Sequence, residues 1–363
     1  MRIKALTVLL IFIFCFPLTL WAQENDPKKQ AYELAKEGLS LVNKGRLDEA
    51  LRVFEEGYRL DPGNSGFQYE MAVVWYLKKD YQRCISILEK VISDSAANDQ
   101  YYQLLGNAYD MEGQTSKARK TYAAGIKRFP DSGILFLESG VLEYTHKNTP
   151  DAVRFWEAGV VASPGFASNY FWLAKHYAST SEKIWSVLYG EMFIHLERNT
   201  ERTQEMSELI YGVYTRAIRW NHGDSLTVEF SKISLVPATQ GQQQTFEQIF
   251  SDCMFKAADS VIREGSDSLA YDEMCRIRGL FLFFWQRSGF ASFYPVVMFD
   301  WFGSLPEASY VESFHRWLFL KGNEDAFQSW YYSAPDAYNA FASWYRKHPL
   351  KISRDNFFSR SKF

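Results

Sequence analysis

Six histidines (His146, His176, His195, His222, His315 and His348) are the side chains best suited to acid–base work or metal binding, and they are scattered through the chain. No His-Glu-x-x-His occurs, and no two stand one helical turn apart, the spacing that would aim two imidazoles at one ion. The cysteines, Cys15, Cys84, Cys253 and Cys275, lack the Cys-x-x-Cys spacing of a redox pair. No glycine-rich phosphate loop follows a strand-like segment, and no Gly-x-Ser-x-Gly elbow is present. Acidic neighbours such as Glu55/Glu56 and Glu324/Asp325 read as solvated helix faces or helix starts, because Asp and Glu are mostly exposed. The sequence therefore predicts no catalytic residue, no metal ligand and no cofactor, and the chain is read as a non-enzyme.

The elements that carry these residues begin with "MRIKALTVLLIFIFCFPLTLWAQEN". Two basic side chains, Arg2 and Lys4, precede an apolar run that ends near Ala22, the layout of a cleavable secretory signal peptide over residues 1–22. The run is shorter than the ~20 residues of a spanning helix, so no transmembrane segment is expected after cleavage. Cys15 lies inside the apolar stretch, behind "FIF", which does not fit a lipoprotein. Losing Arg2 and Lys4 takes the formal charge from −3 to about −5, too mild to advertise a nucleic-acid partner. Three cysteines remain, too few for a disulfide scaffold, with Cys253 to Cys275 the one pairing to test. No Asn-x-Ser/Thr acceptor with a permitted middle residue occurs, which favours a bacterial periplasm or envelope over a eukaryotic secreted protein.

After the leader the chain repeats itself. "RLDEALRVFEEGYRLDP" (46–62) returns in register as "DYQRCISILEKVISDSA" (80–96), "QTSKARKTYAAGIKRFP" (114–130) and "NTPDAVRFWEAGVVASP" (148–164). Ala50, Cys84, Ala118 and Ala152 share one position, Phe54, Leu88, Tyr122 and Trp156 the one four later, and Gly38, Ala72, Gly106 and Gly140 a third. Two antiparallel helices approach closely only where small side chains meet. The glycine of the first helix is therefore expected against the alanine of the second, with the large residues between units. Pro62, Pro130 and Pro164 end second helices, since proline lacks the donor and pushes its predecessor out of the helical region.

This pattern resembles the tetratricopeptide repeat, with four consecutive units from about Ala31 to Pro164 and a degenerate fifth over 169–199, where Ser186 takes the alanine slot and Gly190 the bulky one. The resemblance implies an all-α hairpin solenoid over residues 31–199 and a protein or peptide partner on its inner wall. It also implies that the second, fifth, ninth and twelfth residues of each unit face that partner. Those positions include Tyr69 and Tyr76, then Gln103, Asn107 and Asp110, then Tyr144, then Phe171. The Lys/Asn set with which some members clamp a C-terminal carboxylate is missing from the matching positions.

Residues 204–363 lose the period and read as an aromatic-rich helical C-terminal domain, with at most a short strand or extended connector in "DSLTVEFSKISLVP" and a polar loop in "TQGQQQ". Residues 281–346 are about one-third aromatic. Aromatics at helical spacing are more often core than ligand platform, and "FASFYPVVMFDWFG" and "LFLFFWQRSG", apolar on all sides, read as central helices. The function that follows is a periplasmic or envelope scaffold or adaptor, within a larger envelope or secretion assembly. The alternative is an enzyme, or an apolar-ligand or glycan binder, with its site in the C-terminal domain and the repeats as a targeting arm. Whether the wall is open or filled from within by the C-terminal helices stays open.

Overall fold

The computed structural model describes residues 26–221, 225–232, 244–262 and 269–363. The leader expected over residues 1–22 and most of the polar "TQGQQQ" stretch lie outside the described residues. The described chain is all-α, with one two-stranded antiparallel ribbon. It folds as two compact units that meet in sequence between Ala97 and Asn98.

The first unit holds two hairpins, α1 (Pro27–Asn43) with α2 (Leu47–Leu60), and α3 (Gly66–Leu77) with α4 (Tyr81–Val91). The second opens with α5 (Asp99–Met111) and α6 (Thr115–Arg128), then α7 (Gly133–Thr145) and α8 (Thr149–Ala162), then α9 (Ala167–Ala178) and α10 (Lys183–Leu196). Each of the first four hairpins turns on one left-handed residue, Gly45, Lys79, Gly113 and Lys147, again 34 apart in sequence. In each turn the next residue's amide reaches back to a carbonyl five residues earlier, as Arg46 does to Leu41 and Asn148 to Glu143. The last carbonyls of the first helix are satisfied in this way.

The expected glycine-to-alanine contact is not what closes the hairpins. A Cβ on Gly38 would stand 2.3 Å from the Phe54 ring, on Gly106 2.1 Å from Tyr122, and on Gly140 2.2 Å from Trp156. The bulky residue of the second helix therefore lies within its own unit, flat on the glycine. A second series does the work between consecutive units. Gly57 receives Phe67 of the next hairpin, and Gly159 receives Asn169 of the next. In the fifth hairpin the sizes are exchanged: Gly190 stands where the ring should be, and Ile210 and Met206 of α11 (Glu201–Ala217) fill the space. Ser186 replaces alanine at no cost, because its hydroxyl donates to the Ala174 carbonyl at 2.9 Å.

Beyond α11 come the ribbon β1 (Ile218–Asn221) and β2 (Ser225–Val228), α12 (Phe246–Asp259), α13 (Tyr271–Arg287), α14 (Val297–Phe302), α15 (Ala308–Leu318), α16 (Glu324–Ser333) and α17 (Pro335–Lys347). One continuous core runs from Ala152 to Phe358, so the last repeats and the C-terminal helices share an interior. The expectation of central helices needs correcting. Proline 295 confines "FASFYPVVMFDWFG" to a 3-10 turn and the six-residue α14, and Phe283 of α13 is exposed. The helix buried on every side is α10, from Ile184 through His195. Cys84, Cys253 and Cys275 are all buried free thiols, so the pairing of Cys253 with Cys275 is absent.

The C-terminal segment docks. Phe358 is buried, Phe363 packs 4.3 Å from Phe246, and Arg360 pairs with Glu157 of α8 at 2.8 Å.

Candidate functional site

Within the second unit the first helices of successive hairpins pack side by side, α5 on α7, α7 on α9, and α9 on α11. Gln103, Asn107 and Asp110 stand half-buried on α5. The Gln103 amide donates to Glu138 Oε1 of α7 at 2.8 Å, and the Asn107 side chain bonds the same carboxyl group. Tyr122, the ring that covers Gly106, donates its hydroxyl to Asn107 Oδ1. A polar relay thus runs from Tyr122 through Asn107 to Glu138, with Gln103 closing it from the other side. Burial pushes the Glu138 carboxyl up from the usual range, against the two amides that favour its charged form.

The other end of the wall is aromatic and cationic. Tyr144, at the C-terminus of α7, is 44% exposed, and its ring lies 5.8 Å from both Trp156 and Trp172. Those two indoles stack at 5.3 Å. Phe171 is buried, with the Arg202 guanidinium 4.6 Å and the Lys175 ammonium 5.1 Å from its ring centre. Lys175 also pairs with Glu205 of α11 at 2.6 Å, and Arg202 donates to Ser168 Oγ at 3.1 Å. Phe171 therefore contributes a platform for cations more than surface of its own.

The structure joins Gln103 to Asn107 through Glu138, and sets Tyr144 beside Phe171 through Trp172. Tyr69 and Tyr76, half-buried on α3, belong to the first unit, where Tyr76 meets Tyr81 edge-on at 5.3 Å. Sequence reasoning missed Glu138. The signal was a lone carboxylate in the apolar run "GILFLESG", two 34-residue periods after Glu70, whose carboxyl burial also pushes up.

Among the described residues no group of three His, Cys, Asp or Glu side chains is placed to hold a metal ion. His146 meets Thr115, and His195, deep in the core, meets the Tyr345 hydroxyl at 2.8 Å. Among the described residues no helix is long and apolar enough to cross a membrane. What the wall offers is a set of preset hydrogen-bonding groups at one end and an exposed ring at the other, chemistry suited to holding a chain segment.

Residues 41–106 match a family model described as tetratricopeptide repeat, and residues 101–132 match a second with the same description. Over residues 41–132 the hairpins of this chain are tetratricopeptide repeats, and an aromatic-rich helical region closes the chain. Among solved structures the chain is similar to pilF of Pseudomonas aeruginosa, at 13% identity and a TM-score of 0.43, over 52% of this chain and 84% of that one. It is also similar to a thermophilic tetratricopeptide-repeat protein of Thermus thermophilus, at 14% identity and a TM-score of 0.42, over 50% of this chain and 98% of that one. A third likeness is to the MamA protein, at 18% identity and a TM-score of 0.37, over 47% of this chain and 92% of that one.

Proposed function

We propose that this protein is an exported, non-enzymatic scaffold of a bacterial periplasm or envelope that binds a protein partner along the first helices of its repeats. The observation that carries the reading is the relay of Gln103, Asn107 and Glu138. Side-chain amides already fixed by a carboxyl group lose little freedom when a peptide backbone arrives, so their bonding capacity converts to affinity at small entropic cost. Exposed Tyr144 then supplies the rigid apolar anchor that dominates such contacts. The repeat family supports a protein or peptide as the partner, and the leader pattern supports export.

The test is selection of binding peptides from a displayed random library on the purified chain, followed by fluorescence polarisation. Gln103→Ala and Tyr144→Ala are each expected to weaken a selected peptide at least tenfold, about 1.4 kcal/mol, with the helical signal unchanged. Selected peptides that bind both variants as tightly as the parent would remove the wall from the proposal. Export is checked by N-terminal sequencing of the cell-fractionated protein, which should begin at Gln23. A cytoplasmic chain beginning at Met1 would refute it.

A further inference from the structure

A pocket of about 480 Å³ opens between α13 and α15, away from the repeat wall. Gly279, Leu280 and Val311 form its apolar side, and Cys275, His315 and Arg316 its polar one. His315 is fully buried, and neither ring nitrogen has a hydrogen-bond partner. The Val311 carbonyl one turn back is near enough to favour a protonated ring but is not aligned to bond it. Burial and the Arg278 charge nonetheless hold the imidazole well below its usual range, so it is neutral, with one donor and one acceptor unused. An orphaned buried polar group costs about 1–3 kcal/mol, a cost seldom kept without a use.

Gly279 is the second observation. In the repeats, glycines are forced by rings standing where a Cβ would be. A Cβ on Gly279 would meet only ordinary contacts, Val311 at 3.6 Å and the His315 ring at 3.8 Å. Packing does not demand glycine here, and the helix gives up about 1 kcal/mol relative to alanine by having it. What glycine leaves is open space above the imidazole.

The charges around the pocket are already matched. Arg316 forks to Asp272 and to Glu312 and lies 5.2 Å from the Trp330 ring centre, while exposed Arg276 and Glu312, of opposite sign, stand at the rim. Burial pushes the Cys275 thiol up to about 12, so it is uncharged.

We propose that this pocket binds a small uncharged amphipathic molecule, an apolar ring or short chain bearing one hydroxyl, with that hydroxyl set against His315 beneath Gly279. The site is independent of the repeat wall. It is tested on the full chain by ligand-observed NMR titration with benzyl alcohol, toluene and benzoate. Benzyl alcohol is expected to bind, toluene about tenfold more weakly for want of one hydrogen bond, and benzoate more weakly still. Gly279→Leu should abolish binding, while Gly279→Ala reports by circular dichroism that α13 accepts a side chain there. His315→Phe should keep toluene and erase the advantage of the alcohol, which a general loss of structure would not do. Equal binding of toluene and benzyl alcohol, preference for benzoate, binding that survives Gly279→Leu, or no binding of any probe at millimolar concentration would overturn the proposal.

Discussion

Glu191 of α10 and Arg278 of α13 form an ion pair in which both side chains are almost wholly buried, 2% and 1% exposed. Arg278 donates from Nε at 2.9 Å and from Nη2 at 2.5 Å, and the Tyr214 hydroxyl donates to the same carboxylate at 3.1 Å. Burial alone would lower the guanidinium pKa, but Glu191 and Tyr214 outweigh it and raise it, so the cation persists. Glu191→Gln removes the compensating charge and leaves the guanidinium in an apolar site, between Phe281 and Phe299. Breaking a buried pair from one side costs about 3–5 kcal/mol, and Arg278→Met should cost the same for the mirror reason. Replacing both, as Glu191→Leu with Arg278→Met, should cost little, because two desolvated charges leave together. Tyr214 would then lack its acceptor, at about 1–3 kcal/mol, which Tyr214→Phe should restore.

The assay is thermal unfolding followed by circular dichroism, read as a double-mutant cycle. Each single substitution should lower the melting temperature by about 10 °C, at roughly 2–4 °C per kcal/mol for a unit of this size. The double variant should lie well above the sum of the singles. The reasoning fails if Glu191→Gln lies within about 1 kcal/mol of the parent, or if the double variant is as unstable as the two singles combined. Either result would mean that water reaches the pair, and that the last repeat and α13 are not joined by a dry core.

Gly140→Ala should destabilise by about 1–3 kcal/mol despite the better helix former, because the new methyl group would overlap the Trp156 indole; thermal unfolding measures it. Lys79→Gly and Lys147→Gly should each stabilise by roughly 0.5–1 kcal/mol, since both lysines hold the left-handed φ that glycine adopts freely; the urea midpoint should rise, and a fall would show that the lysine side chains matter more than the turn. His195 is held at about 3 by burial and by the charges of Arg198 and Arg278, against 6.5 when unfolded, so the unfolded chain takes up a proton that the folded one refuses. Stability is therefore full above pH 6.5 and falls between there and pH 3, by about 2 kcal/mol for this group at pH 5, and His195→Gln should flatten that slope.

How much of this was legible in the sequence depends on whether a contact repeats. The spacing of Gly38, Gly106 and Gly140 with Phe54, Tyr122 and Trp156 located the first, third and fourth hairpins, because a packing unit that recurs leaves its period in the chain. The period shows which positions are constrained, yet it does not show which pairs touch, and so glycine was matched to alanine when the ring was its partner. The exchange of sizes at Gly190 was visible as a departure, but its cause was α11, whose Met206 and Ile210 carry no repeat signature. Contacts made once leave no period at all. The pair of Glu191 with Arg278 spans 87 residues, and Arg360 reaches Glu157 across 203, so neither could be inferred from local pattern. The candidate wall divides the same way. Gln103, Asn107 and Tyr144 were expected from their place in the unit, whereas Glu138, off the expected positions, is seen to bond Gln103 and Asn107 only when α5 and α7 are brought together. A wall whose polar groups are paired across neighbouring helices depends on the stacking that creates it. Gly106→Ala, which would displace the Tyr122 ring whose hydroxyl holds Asn107, should therefore weaken peptide binding as much as removing Gln103 itself.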